Sequence, residues 1–231
     1  MAFAISSGIR GKVVAITGAT DGIGAATARL LGLQGAHVML GDGDGERLTA
    51  LAAELRRGGA SVGHLGVDVT DRRAMQRFIS TAHAWFGRLD VIVNAAGASL
   101  PSRIDALRTE DWRHMVDVNL HGVLHAAAAG LSLLQSQGHG QIVNFAAEPG
   151  TVAGLAVHEA TQAAVRALSL GLQRELGGAG GHRGPGGGIR VCVIDPEDGA
   201  EAVARVIAEA AEPPMRRAGR VWLEGLTVAI H

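Results

Sequence analysis

The sequence lacks tyrosine entirely, so no alignment of this chain with another protein can place a phenol in a site. It also has a single cysteine, Cys192, which lies in the apolar run 189–194. One cysteine cannot form a disulfide within the chain, which fits a reducing compartment. A buried, inert thiol is therefore the expected state of Cys192.

Long apolar runs and clusters of basic residues are also missing. No apolar stretch reaches the ~20 residues that a membrane-spanning helix needs, and residues 1–7 are too short and too uncharged for a signal peptide. The 21 Lys and Arg residues are scattered and nearly balanced by 22 Asp and Glu residues, with no basic stripe for nucleic acid. We therefore expect a cytoplasmic protein that binds neither membranes nor nucleic acids.

The 231 residues, 47% of them apolar, are enough to build one sizeable core. Apolar, β-branched runs alternate along the chain with longer stretches of helical periodicity. The predicted strands are 12–17, 36–40, 61–67, 89–94, 140–145, 190–194 and 220–229, and the predicted helices are 25–34, 46–57, 72–86, 108–137, 159–176 and 200–211. This alternation predicts a single doubly wound Rossmann-type α/β domain over residues 1–231, with a mostly parallel sheet, helices on both faces and right-handed crossovers.

The segment TGATDGIG at 17–24 lies directly after the first predicted strand and before the first predicted helix. Its glycines permit a tight turn and close approach of a ligand, and the helix N-terminus offers N–H groups and partial positive charge to a pyrophosphate. In this setting the pattern indicates a dinucleotide-binding loop. The loop residues expected to contact the nucleotide are Gly18, Asp21, Gly22, Ile23 and Gly24.

A second glycine-rich segment, 177–188, has a different setting. Its sequence, GGAGGHRGPGGG, cannot hold a helix or a strand. A phosphate-binding loop would follow a strand and open a helix, whereas this segment precedes the predicted strand 190–194. We therefore expect an expanded surface loop there.

The adenosine end of the nucleotide has a candidate partner in Asp42, which follows the second predicted strand. A carboxylate at this point of the fold binds the hydroxyls of the adenosine ribose. Gly43 comes next, and no Lys or Arg stands beside Asp42 in the sequence to neutralise a 2′-phosphate, so we favour NAD over NADP. The alternative is that Asp42 is only a turn aspartate in the sequence GDGDG.

Together these motifs resemble the short-chain dehydrogenase/reductase family. Residues 17–24 fit the family's glycine pattern, and 117–120 resembles the segment that carries its active-site asparagine, here Asn119. Asp68 and Val69 resemble its adenine contact, and the family's Asn-Asn-Ala-Gly motif after the fourth strand is here Asn94, Ala95, Ala96 and Gly97. The likeness continues to the basic turn and final strand at 216–222, so it implies a cofactor-binding Rossmann fold over almost the whole chain.

The resemblance also implies four catalytic side chains: a serine, a tyrosine, a lysine and an asparagine. Of these, the sequence retains only Asn119. Ala147 stands at the position of the serine, His158 at that of the tyrosine and Gln162 at that of the lysine. The chain therefore looks like a divergent member that lacks the family's acid/base tyrosine.

Two interpretations of His158 remain open. Imidazole exchanges protons near neutral pH, Gln162 lies one helical turn away on the same face, and Glu148 and Glu159 are near in sequence as partners. Gln162, however, carries no charge that could tune a neighbouring pKa. His158 is equally well interpreted as a partly exposed residue at a helix start, and Asn119 as one retained for helix geometry alone.

A metal site is not expected. His121 and His125 are four residues apart on the predicted helix 108–137, which is a spacing compatible with metal binding. No third ligand is evident in the sequence. Ordinary helix residues are the favoured interpretation of both histidines.

The connection after the sixth strand is short. Residues 195–199 run almost directly into the predicted helix 200–211, so we expect the segment that covers the substrate in the family to be missing after residue 196. An uncovered pocket is open to water, which weakens electrostatic catalysis.

Three functions follow, in order of preference. The first is a nucleotide-binding protein whose usual chemistry is lost or repurposed, acting as a non-catalytic subunit beside an active homologue or as a sensor. The second is a non-redox enzyme (an isomerase, lyase or cyclase) that uses His158 as acid/base on an unknown small molecule. The third is an NAD-dependent dehydrogenase or reductase in which His158 replaces tyrosine.

Oligomerisation is expected in each case, because the family usually assembles through the two long helices that match 108–137 and 158–176. The assembly would be a homo-oligomer or a hetero-oligomer with an active homologue. Alanines at 126–129 would give the first helix a smooth contact face. The alternative is that these alanines pack on the sheet of their own subunit.

Overall fold

The computed structural model describes residues 8–148, 150, 152–177 and 188–211, in which six parallel strands form one sheet. The strands are β1 (Val13–Thr17), β2 (His37–Asp42), β3 (Ser61–Gly66), β4 (Val91–Asn94), β5 (His139–Phe145) and β6 (Gly188–Ile194). They lie side by side in the order β3-β2-β1-β4-β5-β6. The doubly wound Rossmann-type fold predicted from the sequence is thereby confirmed.

Helices connect the strands. They are α1 (Gly22–Leu33), α2 (Gly45–Arg57), α3 (Arg72–Phe86), α4 (Thr109–Val116), α5 (Gly122–Gln137), α6 (Ala156–Gly177) and α7 (Gly199–Ala211). The single helix predicted over 108–137 is in fact interrupted, because a π-helical turn, Asp117–His121, separates α4 from α5. This wider turn accompanies the burial of Asn119, whose amide bonds a neighbouring loop, and π turns often mark functional segments.

The first residues of α2 and α3 were predicted to within one residue because local hydrogen bonds cap both helices. The side chain of Asp44 accepts a hydrogen bond from Arg47 N at 3.0 Å at the start of α2. Asp71 accepts one from Arg73 N at 2.7 Å at the start of α3. Aspartate at these positions satisfies an otherwise free N–H group of the first turn. The starts predicted at 46 and 72 therefore coincide closely with those of α2 and α3.

The core has two layers, one on each face of the sheet. Val14 and Ile16 of β1 pack with α1, α2 and α7 on one face. Val13 and Ala15, which alternate with them, pack with α3 and α5 on the other. Because both faces are covered, β1 is buried at all five positions rather than at every second one.

The sheet reverses its order between β1 and β4. Thr17, the last residue of β1, pairs with Gly41 on one side and with Asn94 on the other. In open α/β sheets, ligands bind outside the carboxyl ends of the strands at such a switch point. A ligand would therefore bind beside the loops that follow β1, β2, β3 and β4, and we call this region the groove.

The far edge of the sheet has a short connection. β6 ends at Ile194 and α7 begins at Gly199, with a 3-10 turn, Pro196–Asp198, between them. The predicted strand 220–229 and most of the loop predicted at 177–188 lie outside the described residues. In the part of the chain that is described, no helix is long and apolar enough to cross a membrane.

Candidate functional site

The glycine loop after β1 is closely packed. Gly18 has a φ of +62°, and a Cβ there would lie 2.5 Å from the backbone nitrogen of Ala96, at the end of β4. A Cβ on Gly24 would overlap the carbonyl oxygen of Gly18. Side chains at these two positions are therefore incompatible with the meeting of β1, α1 and the loop after β4.

Gly22 has a different role in the same loop. Its φ is +44°, which a side chain would strain, but a Cβ there would meet no heavy atom within 4 Å. The first turn of α1 is thus exposed on a side where a ligand can approach. Ile23 next to it is half-buried. The free N–H groups of a helix start favour an anionic ligand at this point.

Asp42 lies beside this loop, at the end of β2. One carboxylate oxygen accepts a hydrogen bond from Thr20 N at 3.1 Å and the other from Asp44 N at 3.2 Å. The bond to Asp44 is that of a turn aspartate, while the bond to Thr20 ties the carboxylate to the glycine loop. Each oxygen keeps a further lone pair, so the carboxylate can still accept from a ribose hydroxyl.

Arg47 also reaches the glycine loop, although it is five residues beyond Asp42 and was missed in the sequence. Its guanidinium donates to both carboxylate oxygens of Asp21, at 2.8 and 3.1 Å, and to the carbonyl oxygen of Thr20 at 3.1 Å. The hydrogen bond between the two side chains raises the pKa of Arg47 and lowers the pKa of Asp21. The signal available in the sequence was the placement of both residues at the starts of consecutive helices.

Asp68 and Val69 follow β3 and are held by local contacts. Asp68 is exposed, and one of its oxygens accepts from both the N–H and the hydroxyl of Thr70, each at 2.8 Å. Val69 is buried, and its carbonyl oxygen accepts from Nδ1 of His125 on α5 at 2.9 Å. A Cβ on Gly122 would lie 3.1 Å from the Val69 side chain, so α5 supports this end of the groove closely.

The two histidines of the α5 region have separate partners. His121 donates from Nδ1 to Asp117 at 2.8 Å, whereas His125 bonds the backbone of Val69. Their rings stack with centroids 6.3 Å apart. No group of three or more His, Cys, Asp or Glu side chains suited to a metal ion occurs among the described residues.

Asn94 is turned into the protein. Its side-chain Nδ2 donates to Oδ1 of Asn144 on β5 at 2.8 Å, and Asn144 donates in turn to the hydroxyl of Ser169 on α6 at 2.8 Å. All three side chains are buried. This chain of hydrogen bonds ties β4, β5 and α6 together. Of the four residues in the motif after β4, only Gly97 is exposed.

Asn119 fastens the loop that follows β4. Its Oδ1 accepts from Ala98 N at 2.7 Å, and its Nδ2 donates to Ala98 O and to the hydroxyl of Thr161, both at 2.9 Å. The residue is only 3% exposed. Its amide is therefore engaged by the protein on both sides and joins the π turn to α6.

His158 is half-buried near the start of α6. Its Nδ1 lies 3.2 Å from the carbonyl oxygen of Ala98, the same residue that Asn119 holds. A carbonyl oxygen only accepts, so Nδ1 carries a proton and a neutral ring has its lone pair on Nε2. Among the described residues no carboxylate pairs with His158; Glu148, which was considered a partner, pairs instead with Arg166 at 2.9 Å.

Gln162 lies one turn further along α6. Its Oε1 accepts from the backbone N–H of Ala147 at 3.1 Å, immediately beyond β5. Arg166, another turn on, donates from Nε to Ala147 O at 3.3 Å and also contacts Asp195 beyond β6 at 3.3 Å. Arg166 was not singled out in the sequence, yet it holds the ends of β5 and β6 together.

Comparison with known proteins identifies the family of this chain. A family model described as short chain dehydrogenase matches residues 12–205. The chain belongs to the short-chain dehydrogenase family. The matched range contains the glycine loop, Asn119, His158 and Gln162.

Relatives within the short-chain dehydrogenase family cover most of the chain. An uncharacterized oxidoreductase of Staphylococcus aureus (strain USA300) is 36% identical over 171 residues, 73% of each chain. A metagenomic short-chain oxidoreductase solved with NADP has a TM-score of 0.79 and 28% identity, over 90% of this chain and 95% of that one. A short-chain dehydrogenase from Burkholderia phymatum solved with NAD has a TM-score of 0.74 and 26% identity, over 94% of this chain and 77% of that one.

Proposed function

We propose that this short-chain dehydrogenase binds NAD and that the tyrosine-dependent hydride transfer of its family is lost or repurposed in it. The protein would act as a non-catalytic subunit or as a sensor of the nucleotide. The observation that carries the proposal is the set of side chains at three positions. Ala147, His158 and Gln162 stand where the family resemblance implies serine, tyrosine and lysine.

The residues of the groove fit a dinucleotide. The close packing around Gly18 and Gly24 brings β1, α1 and the loop after β4 together, while the open space at Gly22 leaves room for a ligand. The start of α1 would hold the pyrophosphate, Asp42 the adenosine ribose, and Asp68 with Val69 the adenine. When bound, NAD supplies a nicotinamide that can accept a hydride. The solved relatives that hold NAD or NADP support a nucleotide in this groove.

NAD is proposed over NADP because of the charge at the end of β2. Asp42 is anchored by Thr20 N and therefore cannot swing away without losing that hydrogen bond. A carboxylate in this place accepts from free ribose hydroxyls and repels a phosphate on the same ribose. Asp44 adds a second carboxylate beside it.

The chemistry at the other end of the groove is reduced. Ala147 has no hydroxyl with which to orient a substrate carbonyl. Gln162 has no charge with which to lower the pKa of a neighbour, and its Oε1 is used by the N–H of Ala147. Only the Nε2 donors of Gln162 remain to bind a ribose hydroxyl. These residues can position a nucleotide, but they supply neither a phenol nor an ammonium group.

A second function is favoured by the hydrogen bond of His158. Because Nδ1 donates to Ala98 O, the ring is oriented by the backbone and Nε2 is left to exchange a proton with a ligand. A non-redox enzyme (an isomerase, lyase or cyclase) would use this atom to move a proton on a small molecule. An NAD-dependent dehydrogenase would use the same atom, once protonated, in place of the tyrosine.

Native mass spectrometry of the purified protein, with and without added NAD, tests the main proposal. We expect one nucleotide per subunit and no absorbance change at the nicotinamide band with panels of alcohols, ketones and enones. No binding at millimolar NAD or NADP would contradict nucleotide binding.

The same panels separate the other two functions. A substrate-dependent absorbance change that His158→Ala abolishes would favour the dehydrogenase over the non-catalytic protein. Conversion of a substrate without an absorbance change, again lost in His158→Ala, would favour the non-redox enzyme. The matched control is Glu159→Gln, which alters the neighbouring side chain and leaves the imidazole in place.

Subunit assembly is also proposed, as a homo-oligomer or beside an active homologue. Leu124 on α5 and Leu170 on α6 are 39% and 44% exposed, which suits helices that pack against another subunit. The alanines proposed as a smooth face support this less, because Ala126, Ala127 and Ala129 are buried within the subunit. Native mass spectrometry reports the subunit count directly. We further propose a cytoplasmic location, supported by the lone, buried Cys192.

A further inference from the structure

Three carboxylates and one guanidinium surround the place where the adenosine ribose is proposed to bind. The carboxylates belong to Asp21, Asp42 and Asp44, and the guanidinium belongs to Arg47. Asp21 ends the glycine loop, Asp42 ends β2, and the other two residues lie at the start of α2. The hydrogen bond to Asp21, the charge of Asp21 and, to a smaller extent, the charges of Asp44 and Asp42 raise the pKa of Arg47.

Asp21 and Asp44 precede adjacent helices but use their side chains differently. Asp44 caps α2 by accepting from Arg47 N at 3.0 Å. Asp21 occupies the equivalent position before α1, with an extended backbone, and makes no capping hydrogen bond. Its carboxylate instead takes both ends of the Arg47 guanidinium. An aspartate at a helix start normally caps that helix, whereas the side chain of Asp21 pairs with Arg47 instead.

The ion pair between Arg47 and Asp21 contributes little to the stability of the fold. The side chains of Arg47 and Asp21 are 52% and 79% exposed, and exposed pairs of this kind contribute little to folding. Its geometry matters more, because guanidinium–carboxylate and guanidinium–phosphate pairs use the same fork of N–H donors. Asp21 engages both terminal nitrogens of Arg47, and Thr20 O takes a second N–H of one of them, so no two-point fork is free for a phosphate on the ribose.

We propose that Asp21 determines the nucleotide specificity of this site by holding Arg47 away from a 2′-phosphate. The inference rests on the proposed binding of a nucleotide in this groove. With Arg47 engaged, a 2′-phosphate meets two further carboxylates, Asp42 and Asp44, and NADP is excluded. Removal of the Asp21 charge frees the guanidinium, which then pairs with the 2′-phosphate and admits NADP.

Isothermal titration with 5′-AMP and with adenosine 2′,5′-bisphosphate tests this, because the two ligands differ only in the 2′-phosphate. We expect the wild-type protein to bind 5′-AMP more tightly. In Asp21→Asn the affinity for the bisphosphate, relative to 5′-AMP, should rise on the order of tenfold. In Asp21→Asn/Arg47→Gln the ratio should return to the wild-type value, because the freed guanidinium is gone.

A second ion pair, between α1 and α2, serves as a matched control. Arg29 on α1 and Glu54 on α2 form another exposed pair with two hydrogen bonds, at 2.7 and 2.9 Å. Glu54→Gln should leave the ratio of the two affinities unchanged. Asp21→Ser provides a second way to remove the charge while keeping a helix-capping oxygen, in case Asp21→Asn folds poorly.

A salt series completes the test. Discrimination by the wild-type protein should weaken as salt rises from 0.1 M to 1 M, since exposed charges are then screened. An unchanged affinity ratio in folded Asp21→Asn or Asp21→Ser, with 5′-AMP still bound, would overturn the inference and leave the proposed function intact. Failure of the wild-type protein to bind either ligand or NAD would overturn both.

Discussion

The side chain of Gln162 accepts a hydrogen bond from the backbone N–H of Ala147 at 3.1 Å. Two of the three residues on which the proposed loss of chemistry rests are therefore bonded to each other. A glutamine in this place has an acceptor to offer, whereas an ammonium group has only donors. Gln162 thus forms a contact between α6 and the segment after β5 that a lysine could not make.

Loss of the Gln162 acceptor is expected to destabilise the protein. Gln162→Leu keeps much of the side-chain volume but leaves the half-buried N–H of Ala147 without a partner, which should lower the free energy of unfolding by about 1–2 kcal/mol. Gln162→Glu retains an oxygen at the same place and serves as the control. Urea denaturation measures both. Equal stability of the leucine variant and the wild-type protein would contradict this role of the contact.

Asn119→Ala should release the loop after β4. The half-buried N–H of Ala98 would lose its partner, while its carbonyl oxygen would keep only His158, at an expected cost of about 1–3 kcal/mol in unfolding free energy. The amide of Ala98 should also exchange hydrogen with solvent faster, because Asn119 protects it directly. The control is Thr161→Val, which removes only one of the three contacts of Asn119. Unchanged exchange at Ala98 in the alanine variant would argue against the role assigned to Asn119.

Gly18 and Gly11 should differ in their tolerance of alanine, although both have positive φ. A Cβ on Gly18 meets the backbone of Ala96, whereas one on Gly11 meets nothing within 4 Å. Gly11→Ala therefore suffers only backbone strain, about 1 kcal/mol, while Gly18→Ala must also displace the loop after β4 and should cost about 3 kcal/mol or more. Thermal unfolding and NAD titration of both variants check this. Similar losses in the two variants would contradict the packing argument.

The thiol of Cys192 should react slowly in the native protein. Burial raises the pKa of Cys192, so at pH 8–9 less of it is thiolate than in the unfolded chain. Burial raises this pKa because it removes the charged thiolate from water. As the pH rises past the ordinary thiol pKa, the unfolded chain ionises first, so the free energy of unfolding falls. Iodoacetamide labelling followed by mass spectrometry, with urea-unfolded protein as control, measures the difference. Equal labelling rates in both states would exclude a buried thiol.

Much of the fold was predictable because it depends on local patterns. The strand–loop–helix sequence at 17–24 and the aspartates before α2 and α3 act on residues within one turn, so their effects are visible along the chain. The interruption of the helix predicted at 108–137 was not predictable in this way. It accompanies hydrogen bonds from Asn119 to Ala98 and Thr161, which are 21 and 42 residues away.

The sequence by itself determined the alternation of strands and helices, the glycine loop between β1 and α1, and the absence of any phenol, since these depend on residue types and short spacings. The tertiary structure alone decided which side chains face one another. It paired Arg47 with Asp21, aligned the amide of Gln162 with Ala147 N, and directed Nδ1 of His158 to Ala98 O. The physical reason is that parallel strands bring the loops at their carboxyl ends together from distant parts of the chain. Hydrogen bonds between those loops have no counterpart in local sequence.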